Sequence, residues 1–364
     1  MLIPGELERM PKELEKLMSD LDSRIMEDII RRIKINSEIT RSADWQISRL
    51  IEMGESDKFI KEQIQQALKL SDAEIDDLYT KAYESEYIRN KSLYEAVGRS
   101  QIPFGKNKEL QNIIQSVTSQ TKKDMVNITQ SLGFAIDING RTVFTPLSTY
   151  YQKILDDSVF GIINGTFDYN STLKRTVKEM VRSGIRTVDY KTGWSNRIEV
   201  ASRRAVITGV SQITGKVNEQ MAAELGTDKY EVSWHGTARP SHQEWQGKVF
   251  SMDELKSVCG LGEVDGLCGA NCRHSYSPFI EGISERTYSD KELAEMNAKE
   301  NETTKYGGKY YTSYEATQRM RNMETTMRAQ REQIKLLKQG GADQESIDEI
   351  SARYLDWLIC VFWI

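Results

Sequence analysis

His235, His242 and His274 are all the histidines of the chain, and Cys259, Cys268 and Cys272 are three of its four cysteines. All six fall between residues 235 and 274. Imidazole and thiolate are the preferred protein ligands of zinc, and they also form the commonest base and nucleophile pairing. Cys268-x3-Cys272 has a spacing compatible with a zinc knuckle, with nearby glycines allowing the tight turn such ligand pairs need. His274 and Cys259 are further candidate ligands, and His235 or His242 would close a tetrahedral site from the facing strand. The candidate metal set is therefore His235, His242, Cys268, Cys272 and His274, holding a structural zinc ion. Against it, His235-x6-His242 is no standard ligand spacing, and one C-x3-C is a weaker signal than a doubled C-x2-C.

Two other readings stay open. His242 as base and Cys272 as nucleophile would make a catalytic pair, but no carboxylate partner or glycine-rich oxyanion turn accompanies them. In the third, His235, Arg239 and His242 hydrogen-bond loop carbonyls, and the cysteines are small buried residues. Arg239-Pro240-Ser241-His242 adds a local constraint, because Pro240 drives Arg239 into an extended conformation. Arg239 and Trp245 together would suit a protein-docking surface, where Arg and Trp dominate binding energy. The alternative makes Trp245 a residue of a small core.

The familiar catalytic templates are missing from the sequence. It has no Walker A motif, no G-x-G-x-x-G after a strand, no H-E-x-x-H and no G-x-S-x-G. The expectation is a protein without enzymatic activity and with no certain cofactor.

The elements that must hold the cluster are mostly helical. The chain has 364 residues, of which 38% are hydrophobic and 28% charged, with only 6 prolines. That balance favours long amphipathic helices. Leu7, Met10, Leu14, Leu17, Leu21, Ile25, Ile29 and Ile33 predict one helix over 6–34. Ser56 and Ser71 read as N-caps, the latter with Glu74 in a capping box, so separate helices are expected over 59–70 and 75–96. A helix is predicted over 108–132, followed by a hairpin near 134–144 around Asn139-Gly140. Further helices are predicted over 147–163, 171–182 and 197–225, with Gly226 as C-cap. Residues 229–234 read as a strand, 253–258 as a short helix, and Ser289 as another cap.

The last long helix is expected over 313–338. Ala316, Met320, Met323, Met327, Gln330, Ile334 and Leu337 step by four and three, the spacing of a coiled-coil seam or of a buried packing face. A homo-oligomer is a separate expectation. The apolar end, Trp357 to Ile364, reads as a truncated or aberrant tail. The expected division is a helical module over 1–100, a helical middle region over 106–226, a Cys/His-rich loop module over 227–285, helices over 286–340 and the tail over 341–364. The fold class is mainly α (α+β): elongated helical N-terminal and middle regions, a small loop-rich α+β module, and a terminal long helix.

The net charge of −5 argues against a chain devoted wholly to nucleic acid, yet charge is uneven. Residues 171–220 carry ten Lys/Arg against four acids, and residues 305–338 carry eight against three. Such segments face DNA, an acidic protein surface or simply solvent. No signal peptide is recognisable, and no apolar run reaches the roughly 20 residues that span a bilayer. The clustered cysteines read as reduced thiols or ligands of a cytosolically made protein.

Several short runs are distinctive in combination: Arg203-Arg-Ala-Val-Ile-Thr-Gly-Val210, Glu224-Leu-Gly226, Val232-Ser-Trp-His235, Ala238-Arg-Pro-Ser-His242, Trp245-Gln-Gly-Lys248 and Asn271-Cys-Arg273. In these the chain resembles the phage minor capsid protein family and, more distantly, the C-terminal part of Mu F-like head morphogenesis proteins. The R-x-x-H…G-K-x-F…N-C-R pattern of the latter maps onto Arg239, His242, Gly247, Lys248, Phe250, Asn271, Cys272 and Arg273. His274 stands where those relatives often carry a second cysteine. The resemblance implies a structural minor head protein of a tailed phage, located in the virion head and assembled in the bacterial host cytoplasm. It implies the portal protein and other head proteins as partners, contact with packaged DNA during packaging or ejection, and no membrane. The alternatives are an enzyme or toxin-like head protein, of the kind joined to ADP-ribosyltransferase modules, and a zinc-dependent DNA-binding factor.

Overall fold

The structure is a computed structural model and describes residues 3–38, 44–163, 168–189 and 193–361. It is mainly α with small antiparallel sheets. In chain order the helices and strands are α1 (Pro4–Arg9), α2 (Lys12–Glu38), α3 (Asp44–Arg89), α4 (Lys91–Ala96) and α5 (Lys108–Gln130), then β1 (Leu132–Ile138) and β2 (Arg141–Pro146). Next come α6 (Leu147–Ile163), α7 (Tyr169–Ser183), β3 (Arg186–Val188), β4 (Ser195–Arg197) and α8 (Ile198–Leu225). The candidate site is built on β5 (Lys229–Val232), α9 (Pro240–Gln243), β6 (Val249–Ser251), α10 (Met252–Ser257) and β7 (Tyr276–Phe279). The chain continues through α11 (Asp290–Glu300), β8 (Thr304–Tyr306), β9 (Lys309–Tyr311), α12 (Ser313–Gly340) and α13 (Gln344–Val361).

These elements group into two compact units, each assembled from three separated stretches. One holds Met1–Leu14, Ser71–Asp124 and Arg203–Gln318; the other holds Glu15–Leu70, Met125–Ser202 and Arg319–Ile364.

In the second unit the apolar stripe of α2 buries Leu21, Ile25, Ile29 and Ile33. Among them lies an ionic knot. Arg32 pairs with Asp28 at 2.7 Å and with Glu52 at 2.6 Å, and Tyr151 donates to the same Asp28 carboxylate at 3.0 Å. Buried charges persist only when paired this closely. The four-stranded sheet has the order β2-β1-β3-β4. Its hairpin pairs Ile138 with Arg141, and Asn139 and Gly140 both take positive φ, at 54° and 79°. That is the two-residue turn the Asn-Gly pair demands. On α12, Met323, Met327 and Leu337 of the seam are buried, and the backbone of Gly340 approaches Leu173 and Ile30 closely.

The first unit carries the site. Asn218 on α8 donates to Tyr276 O of β7 at 2.8 Å and accepts from Asn90 at 2.8 Å, so one buried amide ties strand to helices. Gly209 on α8 leaves room for Tyr79: a β-carbon there would stand 1.8 Å from the tyrosine hydroxyl, which bonds Thr121 at 2.7 Å.

Two local expectations are corrected. The single helix over 6–34 breaks between α1 and α2 at Pro11, which cannot continue the helical hydrogen bonding. Ser56 and Ser71 cap nothing, because α3 runs through both. Ser56 instead donates to Glu52 O one turn back at 2.7 Å, a bond that lets serine stay inside a helix. The stretch read as a tail carries α13 over Gln344–Val361, and the part of that reading on residues 362–364 lies outside the described residues.

Candidate functional site: a buried Cys/His cluster

The site grows on a three-stranded antiparallel sheet of order β6-β5-β7, with Lys229 opposite both Ser251 and Phe279. Glycines let the loop after α10 fold on itself. A β-carbon at Gly266 would meet Gly260 O at 2.0 Å, and one at Gly269 would meet Val264 O at 2.4 Å. Cys268 and Asn271 take left-handed φ values of 60° and 59°, which turns the chain sharply around Cys272. The core beneath consists of Ala222, Tyr230, Val232, Trp245, Leu255, Cys259, Leu267, Cys272 and Tyr276.

Of the five candidate ligands, three converge. His242, Cys272 and His274 are buried, with ligand atoms within 4.8 Å of one another. Cys272 Sγ is 3.4 Å from His274 Nδ1 and 3.9 Å from His242 Nδ1. Two zinc bonds of about 2.3 and 2.0 Å at a tetrahedral angle would set sulfur and nitrogen about 3.5 Å apart. The Cys272–His274 separation matches that spacing, the Cys272–His242 separation is about 0.4 Å longer, and the three residues supply three of the four ligands of a zinc tetrahedron. The far nitrogens are already engaged, His242 Nε2 with Asp265 O at 2.8 Å and His274 Nε2 with Gln246 Oε1 at 2.9 Å. Both acceptors are carbonyl oxygens, so each ring carries its proton on Nε2 and turns the bare Nδ1 toward the sulfur.

Cys268 and His235 stand outside this triad. The Cys268 thiol donates to His274 O at 3.5 Å, and His235 Nδ1 donates to Gly236 O at 2.7 Å while its ring stacks 4.2 Å from His274. Cys259 belongs to the core, where burial pushes its thiol up to about 12. Trp245 is 5% exposed, with its ring 4.6 Å from His242 and 4.7 Å from His274. Arg239 reaches across the loop to donate to Ala270 O at 2.6 Å, with Asp265 at 3.6 Å. Both residues thus brace the module from within.

Burial sets the chemistry. It holds His235 and His242 below the usual imidazole range, and drives His274 down to about 2 with help from the neighbouring histidines. Burial likewise raises the Cys272 thiol, against several backbone donors that oppose it. Neutral imidazoles beside a protonated thiol make a poor nucleophile but a ready soft-ligand set once the thiol yields its proton to a metal.

The residues not anticipated from sequence are those that orient the rings. Gln246, fully buried, accepts from His274 and from His235 N and donates to Asn297 Oδ1 at 3.0 Å. Asn297 on α11 also accepts from Trp234 Nε1 and donates to Gln243 O, both at 3.0 Å. Gly247 follows with φ +74°, and a β-carbon there would collide with Leu293 at 2.4 Å. The Trp-Gln-Gly-Lys run held the signal for Gln246. Nothing local pointed to Asn297, which lies 51 positions further on.

The distinctive runs from Val232 to Arg273 thus fall in one folded module with the stretch Asn271-Cys272-Arg273 at its turn, and the comparison with known proteins agrees. The family model for phage minor capsid protein 2 matches residues 2–356. The chain belongs to that family. It is also similar to a protein described as a structural protein of Lactococcus phage LL-H, 21% identical over 268 residues, covering 68% of this chain and 70% of the relative. No solved structure matches. The minor capsid family makes this chain a structural protein of a phage virion, with other phage head proteins as partners. Among the described residues no helix is long and apolar enough to cross a membrane.

Proposed function

We propose that this minor capsid protein is a non-catalytic subunit of a tailed-phage head, assembled in the host cytoplasm beside the portal and acting in DNA packaging or ejection. The observation that carries the reading is the family match over residues 2–356. The buried, proton-bearing thiol of Cys272 supports a bracing role over a catalytic one. The loop after α10 offers the docking face: Val258 and Val264 are 56% and 73% exposed on an otherwise well-braced module. Apolar side chains held outward on a rigid loop suit a protein contact.

The test is co-purification with portal protein from infected cells, with virion incorporation measured by mass spectrometry. The wild type is expected in both fractions, and Val258→Asp with Val264→Asp is expected in neither. Absence of the wild-type chain from purified virions would overturn the head assignment. Normal portal binding by the double variant would show that the docking face lies elsewhere.

The same reading assigns His242, Cys272 and His274 to a structural zinc ion, which would cross-link the 265–274 loop to α9. Support comes from the sulfur–nitrogen separations and from the Nε2 hydrogen bonds that leave both Nδ1 atoms facing inward. Elemental analysis of protein purified without chelator should return about one zinc per chain. Metal-free protein should melt at lower temperature, and Cys272→Ser should lose the metal. A chain that returns no metal and melts unchanged after chelator treatment has no such ion.

A further inference from the structure

We propose that the cleft beside α7 in the second unit is a phosphate-binding site that takes the phosphodiester backbone of nucleic acid. The cleft has a volume of about 380 Å³ and lies between the β1-β2 hairpin, α7 and the β3-β4 edge. Four of its lining residues are cations: Arg175, Lys178, Arg182 and Arg186. The first three step by three and four along α7 and so form one row on one helix face. Asp168 caps that helix by accepting from Ser171 N at 2.8 Å, which holds the row in register.

Two acids, Asp137 and Glu179, also line the cleft. Asp137 accepts from Gly140 N at 2.7 Å and closes the hairpin turn. Glu179 points inward beside Tyr150, whose hydroxyl its charge pushes further above the ordinary tyrosine value after burial has raised it. Arg186 sits at the inner end with its guanidinium held by Ser195, Nε to Oγ at 3.0 Å and Nη2 to the backbone oxygen at 2.7 Å. Four cations against two carboxylates leave the lining with an excess of positive charge, and among the described residues neither Lys178 nor Arg182 has an ion-pair partner within 4.0 Å.

Charge complementarity and spacing favour a nucleic-acid strand. From residue 175 to 182 the helix rises about 10 Å, close to the axial rise of about three nucleotides on one strand at 3.4 Å each. Arginine forks match phosphate oxygens in pairs, while lysine supplies a point charge between them. An acidic protein would have to present carboxylates in a matching row.

The experiment uses the full chain, titrated into a labelled duplex and a labelled single strand while fluorescence anisotropy is read at several salt concentrations. Binding should weaken steeply with salt. Arg175→Gln, Lys178→Gln and Arg182→Gln together should weaken it about tenfold or more and flatten the salt slope by about 2 to 3. A control with the same charge loss on α3, Lys58→Gln, Lys61→Gln and Lys69→Gln, should bind like wild type; circular dichroism confirms that both variants fold. No binding, or equal loss in both variants, overturns the proposal. Displacement of the oligonucleotide by micromolar pyrophosphate makes the cleft a small-phosphate site instead, and displacement by polyglutamate at equal charge concentration makes it an acidic-protein site.

Discussion

Gln246 Oε1 lies 2.9 Å from His274 Nε2, and both residues are buried, so one carboxamide decides which imidazole nitrogen faces Cys272. Without that acceptor the ring is free to place its proton on Nδ1, where it would oppose both the thiol and a metal.

Gln246→Leu is therefore expected to cost roughly 1–3 kcal/mol of stability, because His274 and Asn297 each lose a buried partner. Zinc affinity, read by competition with a chromophoric chelator, should fall about 10–100-fold. A variant that melts and binds metal like wild type would remove Gln246 from the site's support.

In metal-free protein the buried His274 should make the first unit sensitive to acid. Its value falls from 6.5 unfolded to about 2 folded, so the unfolded chain binds the extra proton. Stability is then complete above pH about 6.5 and declines as pH falls toward 2. At pH 5 the loss is roughly 2 kcal/mol from this one group, with His235 and His242 adding in the same direction. Urea unfolding followed by tryptophan fluorescence at pH 7.5 and 5 measures it.

Asp22 in the second unit runs the other way. Its carboxyl is fully buried and near Glu199, which together raise it to about 7, although it accepts from Ile185 N at 2.9 Å. A raised carboxyl destabilises the fold as pH climbs from about 4 to about 7, where the unfolded chain has already released the proton. Asp22→Asn keeps the acceptor oxygen and loses the charge. It should be at least as stable as wild type at pH 7.5, with the difference shrinking toward pH 4; a less stable variant at neutral pH would contradict the burial argument.

Gly209→Ala should destabilise the first unit by about 1–3 kcal/mol through overpacking. The added β-carbon has to displace the Tyr79 hydroxyl, which then leaves Thr121. Tyr79→Phe in the same chain should recover part of the loss, and a double-mutant cycle on chemical denaturation gives the coupling. Strict additivity would mean the two residues do not meet.

Asp28→Ala should be the most damaging of these substitutions. It leaves the Arg32 guanidinium with Glu52 alone in a buried setting and removes the acceptor of Tyr151. A loss of roughly 3–5 kcal/mol is expected, read as a fall in the denaturant midpoint.

What was legible in the amino-acid order was whatever neighbours within a turn decide. The stripe Leu21, Ile25, Ile29, Ile33 made α2 readable, Asn139-Gly140 made the hairpin readable, and Ser289 with Glu292 marked the start of α11. The family, too, could be read from short runs such as Trp245-Gln-Gly-Lys248 and Asn271-Cys-Arg273. The same locality misled at Ser56 and Ser71, where hydroxyls that look like caps sit inside one continuous helix. A cap and a back-bonded helical serine differ only in which carbonyl or amide lies nearby, and packing chooses between them.

The tertiary structure alone decided which of the clustered ligands meet. His235, His242, Cys268, Cys272 and His274 share one stretch of sequence, yet only His242, Cys272 and His274 point at a common centre. Left-handed turns at Cys268 and Asn271, a glycine-lined loop and an asparagine from α11 aim them. Those constraints join residues far apart in the chain, so their energies appear only after the sheet and helices have packed, and no spacing along the backbone encodes them.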